Sequence, residues 1–449
     1  MKNRVCKQII FTILVLLFVA CGQAPKSTPT AESVHFATIT LPSVTDTPNP
    51  TPHPVNLAFP PFDTSGLKDL AGYQMAWDNH LGIYLFDFSS GQATVLNEGP
   101  GLYYENSVYW AWSPDGKRLA YQACGDYPTG PTNIWIHELT SGEKRFLRET
   151  SSGCHQDQHL SWHPNGQVLL IGNDFISSTD GRSIAFLPTV DARRHTFSPD
   201  GSRLAIIDAE TDIGSLISIY DIAFNNMNCA GPVNHHVSCA YLDNGIKREF
   251  GCTINIPAML TADDKKRFEM WGQIFEVAWS PRGDLIALQV ETNGLKTVRE
   301  IYLIKPDGTG LQNLTRISEL EPGWFLSGSP FQPNFSWSPD GSKIAFAAGC
   351  PDCPPRIFVV EVDSGDFLEL TGGEITCRSL PCIPLWTPDG QWVAFQGDLD
   401  AAFGFWFVRP DKSQWLGVPG DILIGVGPRD FRPILSKTEI PSVLPTHMP

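Results

Sequence analysis

The chain has 449 residues, 42% of them hydrophobic, and its 48 acidic side chains outnumber 32 basic ones to give a formal charge of −16. That much apolar sequence supports large buried cores and excludes a wholly disordered chain. The acidic excess argues against nucleic acid or an anionic membrane surface as a partner, because both repel negative charge.

At the N-terminus, Lys2, Arg4 and Lys7 precede an apolar run from Ile9 to Ala20, and Cys21-Gly22 follows. The run is well short of the roughly 20 residues that a membrane-spanning helix needs. A charged start, a short apolar core and a small residue before Cys resemble a bacterial lipoprotein signal over residues 1–20, with Phe18 standing where that signal usually has Leu. The resemblance implies cleavage before Cys21 and acyl chains on that residue; loss of the three cations takes the formal charge from −16 to −19. Residues 21–61 are rich in Pro, Ser and Thr, as in Thr45-Asp-Thr-Pro-Asn-Pro-Thr-Pro-His-Pro54. Proline blocks helix and sheet ladders there, and too little apolar surface exists to collapse the segment, so it reads as a tether. The expected topology is a head held outside the cytoplasm, in the cell envelope, touching membrane only through its lipid.

From Tyr73 onward the pattern is all strand. Tyr73 to Trp77 and Ile83 to Leu96 supply three strands, and then one phrase recurs six times. It reads Trp112-Ser-Pro-Asp-Gly116, Trp162-His-Pro-Asn-Gly166, Phe197-Ser-Pro-Asp-Gly201, Trp279-Ser-Pro-Arg-Gly283, Trp337-Ser-Pro-Asp-Gly341 and Trp386-Thr-Pro-Asp-Gly390. Pro presets the first corner of a hairpin turn, Asp or Asn bonds its own backbone, and Gly accepts the positive φ that closes it. The aromatic two positions before Pro is then a wedge between neighbouring sheets, and Trp337→Ala is expected to cost about 3–5 kcal/mol. A second strand-turn-strand unit follows each copy, as in Ile134-Trp-Ile-His137 with Lys144 to Leu147, so the repeating unit has four strands.

The wedges are spaced 50, 35, 82, 58 and 49 residues apart, against roughly 40–50 for a propeller blade. The spacing of 35 reads as a blade with clipped turns, and that of 82 as a blade carrying an insertion at about 223–275, with a short helix over Thr261 to Met270. The strand in Gly427 to Leu435 would join the three N-terminal strands in a seventh blade, leaving 436–449 as a tail. The expectation is an all-β, seven-bladed propeller of four-stranded antiparallel blades over 62–435; a six-bladed ring with a packed N-terminal hairpin is the alternative. The phrase resembles that of the TolB-like propellers, bacterial relatives of WD-repeat propellers, whose repeats centre on Trp-Ser-Pro-Asp-Gly-Lys-x-Ile-Ala-Phe. The resemblance covers about residues 70 to 435 and implies fold, not activity.

Outside Cys6 and Cys21, nine cysteines remain, and in an exported protein they imply disulfides. Cys124 and Cys350 follow their wedges at twelve and thirteen residues, while Cys154 and Cys377 precede theirs by eight and nine. Those loops emerge on one face of a blade, so Cys124 with Cys154, and Cys350 with Cys377, are the expected pairs, with Cys353 and Cys382 as a third. Cys229, Cys239 and Cys252 allow one pair and one leftover. A metal or redox site at Cys350-Pro-Asp-Cys353 is the competing reading, but a second Cys-x-x-Cys is missing.

Catalytic signatures do not assemble. No Gly-x-Ser-x-Gly elbow and no phosphate-cradling Gly loop occurs. Cys154-His155-Gln-Asp157-Gln-His159 is the densest polar run, read as a loop and not as a metal site. No cofactor and no metal is expected. The reading preferred is a monomeric, non-catalytic binding or scaffold module for a protein or glycan. Tyr103, Tyr104, His155, His159, Trp324 and Phe325 are its candidate loop-face contacts, and the alternative is a funnel hydrolase, lyase or lactonase assembled from separate blades.

Overall fold

The computed structural model describes residues 68 to 433 apart from 69, 80–81, 99–109, 125–130, 154–158, 188–193, 212–213, 223–239, 244–245, 249–251, 255–271, 294–296, 318–323, 327–333, 351–352, 372–374, 377–382, 400–401 and 420–427. The expectations for the leader, Cys21, the tether, the tail and the helix at Thr261 to Met270 fall outside these residues.

The described residues are almost wholly strands, arranged in seven antiparallel sheets. Blade 1 is built from β1 (Tyr73–Asn79), β2 (Gly82–Asp87) and β3 (Gln92–Glu98), and blade 2 from β4 (Trp110–Trp112), β5 (Arg118–Cys124), β6 (Pro131–Glu138) and β7 (Lys144–Gly153). Blade 3 holds β8 (Leu160–Trp162), β9 (Val168–Ile171), β10 (Asp174–Ser177) and β11 (Ser183–Phe186), whose short strands explain the close spacing of 35. Blade 4 holds β12 (Arg194–Phe197), β13 (Arg203–Thr211) and β14 (Gly214–Asp221). The chain then leaves it. A hairpin of β15 (Ala240–Asp243) and β16 (Ile246–Arg248) pairs onto β11 and widens blade 3 to six strands, before β17 (Cys252–Ile254) returns to complete blade 4. The stretch read as an insertion therefore spans the edge of one blade and the fourth strand of the next.

Blade 5 comprises β18 (Gly272–Trp279), β19 (Ile286–Asn293), β20 (Thr297–Ile304) and β21 (Gln312–Asn313). In blade 6 the inner edge is split into β22 (Phe325–Leu326) and β23 (Phe335–Trp337), both paired with β24 (Lys343–Cys350), and β25 (Cys353–Glu361) and β26 (Phe367–Glu369) follow. Blade 7 repeats the split with β27 (Ile375–Thr376) and β28 (Leu385–Trp386) on β29 (Val393–Leu399), then β30 (Ala402–Val408) and β31 (Trp415–Pro419). Last comes β32 (Pro428–Pro433), which pairs antiparallel with β1 and supplies the fourth strand of blade 1. The first and last described strands thus share one sheet, which removes the open edge of the ring.

Closure shows in the packing. Seven apolar clusters fill the seven seams between neighbouring blades, from Ala76, Leu85, Trp112 and Leu119 between blades 1 and 2 to Met75, Trp77, Trp392 and Phe405 between blades 1 and 7. The repeat's aromatic sits in these seams: Trp112, Trp162, Trp279 and Trp386 are buried, whereas Phe197 and Trp337 are partly exposed. Tryptophan does more than fill space. The indole N–H of Trp162 donates to Ala111 O (2.9 Å), that of Trp279 to Thr196 O (3.1 Å) and that of Trp337 to Ala278 O (3.3 Å), each carbonyl lying on the inner strand of the preceding blade.

The turns behave as their composition demands. Ser338 Oγ donates to Asp340 Oδ1 (2.7 Å), Asp340 accepts from the Ser342 amide (3.0 Å), and the Lys343 amide donates back to Ser338 Oγ (2.9 Å). Where Arg282 replaces the acid, Asp284 takes its place, accepting from Ser280 Oγ at 2.6 Å. Consecutive turns also touch. His163 accepts the Asn165 amide at Nδ1 (3.1 Å), which leaves Nε2 to donate to Gly201 O in the next blade (2.8 Å). Gly201 has φ +72°, and a Cβ there would lie 2.7 Å from the His163 ring, so only glycine fits.

Candidate functional site

The turn carboxylates are structural. Hydrogen bonds from Ser338 and from the Ser342 backbone hold the Asp340 carboxyl down at about 2, and the Ser198 hydroxyl lowers Asp200 in the same way. Polar side chains elsewhere on the inner strands are a different matter. Three residues before the wedge, in or just ahead of the first strand of the blade, stand His159 in blade 3, Arg194 in blade 4, Glu276 in blade 5 and Asn334 in blade 6. Ten residues after the wedge, on the second strand, stand Gln122, Gln289 and Gln396 in blades 2, 5 and 7, all buried.

These groups meet across the seams. The His159 and His195 rings lie edge to face at 4.5 Å between blades 3 and 4. Arg194 Nε lies 3.9 Å from Glu276 Oε2 between blades 4 and 5, with both side chains about nine-tenths buried. Glu276 is paired in register with Gln289, whose Oε1 accepts from Asn334 Nδ2 of blade 6 at 2.8 Å. One polar row therefore crosses four successive blades at one level. A bulge at Phe275 in β18 shifts the register between Ile274 and Glu276, and the Arg299 guanidinium lies over the Phe275 ring at 5.9 Å.

Burial shapes the protonation of the row. Desolvation first, then the fields of His195 and Arg194, push His159 well below the ordinary histidine value, so it is neutral at pH 7. Desolvation raises Glu276, and Arg194 opposes that shift. The signs differ. A depressed histidine makes the unfolded chain the better proton acceptor, so its contribution to stability falls as pH drops below about 6.5. A raised carboxyl acts in the other direction, its contribution being complete below about 4.5 and lost as pH climbs through the folded value. His159→Gln isolates the first effect: the stability gap between variant and wild type is expected to be smaller at pH 5.5 than at pH 7.5 in matched urea titrations. A gap independent of pH would contradict the assignment.

Of the residues singled out from sequence, His159 belongs to the row. Trp324 packs within blade 6, edge to face with Phe358 at 5.9 Å and under the Arg356 guanidinium at 5.2 Å, while Phe325 opens β22 and pairs with Gly349. Tyr103, Tyr104 and His155 lie outside the described residues. Cys350 is disulfide-bonded, and in the sheet register it stands opposite Cys353. The side chains of Cys124, Cys154, Cys353, Cys377 and Cys382, and so the expected pairings, lie outside the description. Arg194, His195, Glu276, Gln289 and Asn334 escaped sequence reading. Their only signal there is a polar residue at a fixed offset from each wedge. Among the described residues, no group of three or more His, Cys, Asp or Glu is placed to hold a metal.

The repeated Trp-Ser-Pro-Asp-Gly turns, the seven filled seams and the closing strand decide the architecture. The fold is a seven-bladed β-propeller. No family model matches the chain. An uncharacterized protein of Agrobacterium fabrum, Atu1656, is 29% identical over 135 residues, which are 30% of this chain and 40% of that protein, so the match spans about two-fifths of the relative's length. Among solved structures, TolB from Acinetobacter baumannii aligns over 80% of this chain and 65% of its own with 15% identity and a TM-score of 0.41. A putative 6-phosphogluconolactonase from Bacteroides uniformis aligns over 80% and 99% with 16% identity and a TM-score of 0.48. In this propeller the polar row is set by residues peculiar to four blades and not by the repeat itself.

Proposed function

We propose that this propeller is a lipid-anchored, extracytoplasmic binding or scaffold module, non-catalytic, whose ligand is a protein or a glycan. The observation that supports it is ring closure by β32 combined with the polar row. A closed frame holds the connecting loops of seven blades in fixed relation, and the row sets hydrogen-bonding groups of both kinds at its middle, which is the anatomy of a preorganised recognition surface. The leader supports the anchor and the location, and the acidic charge supports contact with membrane through lipid alone. The head acts as a monomer.

Feeding cells a radioactive fatty acid tests the anchor. Label is expected on the wild-type protein and not on Cys21→Ala, and a labelled variant would refute acylation at that residue. The binding reading is tested by affinity capture from envelope extract analysed for proteins and glycans together, with one saturable ligand expected. The raised carboxyl of Glu276 beside Arg194 favours the second reading, a funnel hydrolase, lyase or lactonase. Turnover of the captured ligand, abolished by Glu276→Gln, would replace the first reading with the second.

A further inference from the structure

We infer that the last residues of the tether, Phe59 to Leu67, dock as a strap in an open cleft on the turn side of the seam between blades 7 and 1, with the Phe62 ring placed where the rim of turns is broken.

Blade 1 carries a seventh copy of the repeat turn, cut in two by the chain ends. Phe431 stands opposite Met75 in the register that Trp112 holds opposite Leu119 and Trp337 opposite Ile344. Arg432-Pro433 therefore take the places of Ser-Pro, and Gly72, three residues before Met75, takes that of the turn glycine. Elsewhere these turns lean on one another. A Cβ added to Gly166, Gly201, Gly283 or Gly390 would meet the turn proline of the preceding blade at 3.9, 3.3, 3.6 and 3.6 Å respectively. At Gly72 a Cβ would meet no described atom within 4 Å, so Gly72 does not rest on Pro388 of blade 7 and the rim is broken there.

On the blade 7 side of that break lies an open cleft of about 450 Å³, lined by the turn at Gly390-Gln391 and the turn from Arg409 to Gln414. The Arg409 guanidinium lies 4.1 Å from the centre of the Trp392 ring, and its Nη1 donates to Gln391 Oε1 at 3.0 Å, so this side chain is fixed as a wall of the cleft. Trp392 belongs to the apolar cluster between blades 7 and 1, and so does Leu70, which is fully buried two residues after Lys68, the first described residue. The chain is thus delivered to the seam on which the cleft opens. Phe62 stands six residues ahead of Lys68, within about 20 Å of extended chain. Pro410 and the stem of Arg409 offer an aromatic ring apolar surface, and Asp63 follows beside the Arg409 cation. The C-terminal tail, which leaves the same split turn after Pro433, holds no Phe, Tyr or Trp. So placed, the strap completes the rim and brings any pull on the tether to the blade that β32 closes.

The test uses the full-length protein. In the wild type, chymotrypsin is expected to cut after Phe62 at least tenfold more slowly than after Phe36 in the tether, each rate being divided by that of a free peptide of the same sequence. In a second arm p-benzoylphenylalanine replaces Phe62, and irradiation is expected to join it, within one chain, to the turn at Gly390-Gln391 or to that from Arg409 to Gln414. The same probe at Phe36 is expected to find no fixed partner. Equal normalised cleavage after Phe62 and Phe36, or crosslinks from position 62 that land outside those turns, would overturn the strap. So would the probe at Leu435 marking the cleft, which would make the C-terminal tail its occupant, or a crosslink from position 62 to another molecule, which would make a second copy the occupant. The cleavage ratio reads the unaltered protein, so the outcome does not depend on how the probe variants fold.

Discussion

Trp279→Ala is expected to lower the free energy of unfolding by about 3–5 kcal/mol, the range for truncating a buried aromatic. Trp279 sits in the seam between blades 4 and 5, packed with Ile207, Ile217, Ile274 and Leu288, and its indole N–H reaches back to Thr196 O. Truncation removes both the wedge and the latch, and the seam cannot collapse around the void because each face is fixed by its own sheet. Trp279→Phe separates the two contributions. It keeps most of the apolar volume and loses the hydrogen bond, for an expected cost of about 1–2 kcal/mol. Trp337→Ala, singled out from sequence, is expected to fall below Trp279→Ala, since Trp337 is partly exposed while Trp279 is buried. Urea unfolding followed by tryptophan fluorescence and circular dichroism measures the series; equal midpoints for Trp279→Ala and wild type would remove the wedge from the account.

The contrast shows what sequence conveys about a repeat. Turn chemistry is local, so Ser-Pro-Asp-Gly could be read as a corner with a positive-φ glycine from four adjacent residues, and Gly341 at φ +68° obeys it. Blade number followed from counting wedges, and the closing strand from an unmatched strand at Gly427 to Leu435 meeting three unmatched strands at the start. The polar row was not legible because it is defined by contacts between residues 36 to 82 positions apart that belong to different blades. His159 attracted notice inside a cluster of polar neighbours, whereas Arg194 and Glu276 each appear singly in front of an apolar strand. The hairpin of β15 and β16 was hidden for a related reason: a strand carries no mark of which blade's edge it will join.

Ending the chain after residue 427 is expected to be more damaging than any seam substitution. The truncation deletes β32, whose antiparallel ladder with β1 runs through the partners Tyr73 with Pro433, Gln74 with Arg432, Met75 with Phe431, Ala76 with Asp430 and Trp77 with Pro428. At about 1 kcal/mol per net hydrogen bond, the ladder alone is worth several kcal/mol, and its loss uncovers backbone donors and acceptors along β1. The neighbouring seam does not depend on β32 for all of its strength. Trp77 stacks on Tyr84 at 5.3 Å and meets Phe405 edge to face at 5.5 Å, while Phe88 meets Phe407 at 5.7 Å, so blade 1 is still glued to blade 7 by aromatics. The expected product is therefore a folded but opened ring: lower urea midpoint, faster amide exchange in β1 and β2, and self-association through the bared edge at raised concentration. A chain ending after residue 435 keeps β32 and is the control, expected to match wild type in all three. Supplying a peptide of residues 428–433 in trans should restore protection to β1, because the acceptor edge remains in register. Unchanged exchange in β1 after truncation would mean that the ring is held shut by its seams alone and that the terminal strand is dispensable.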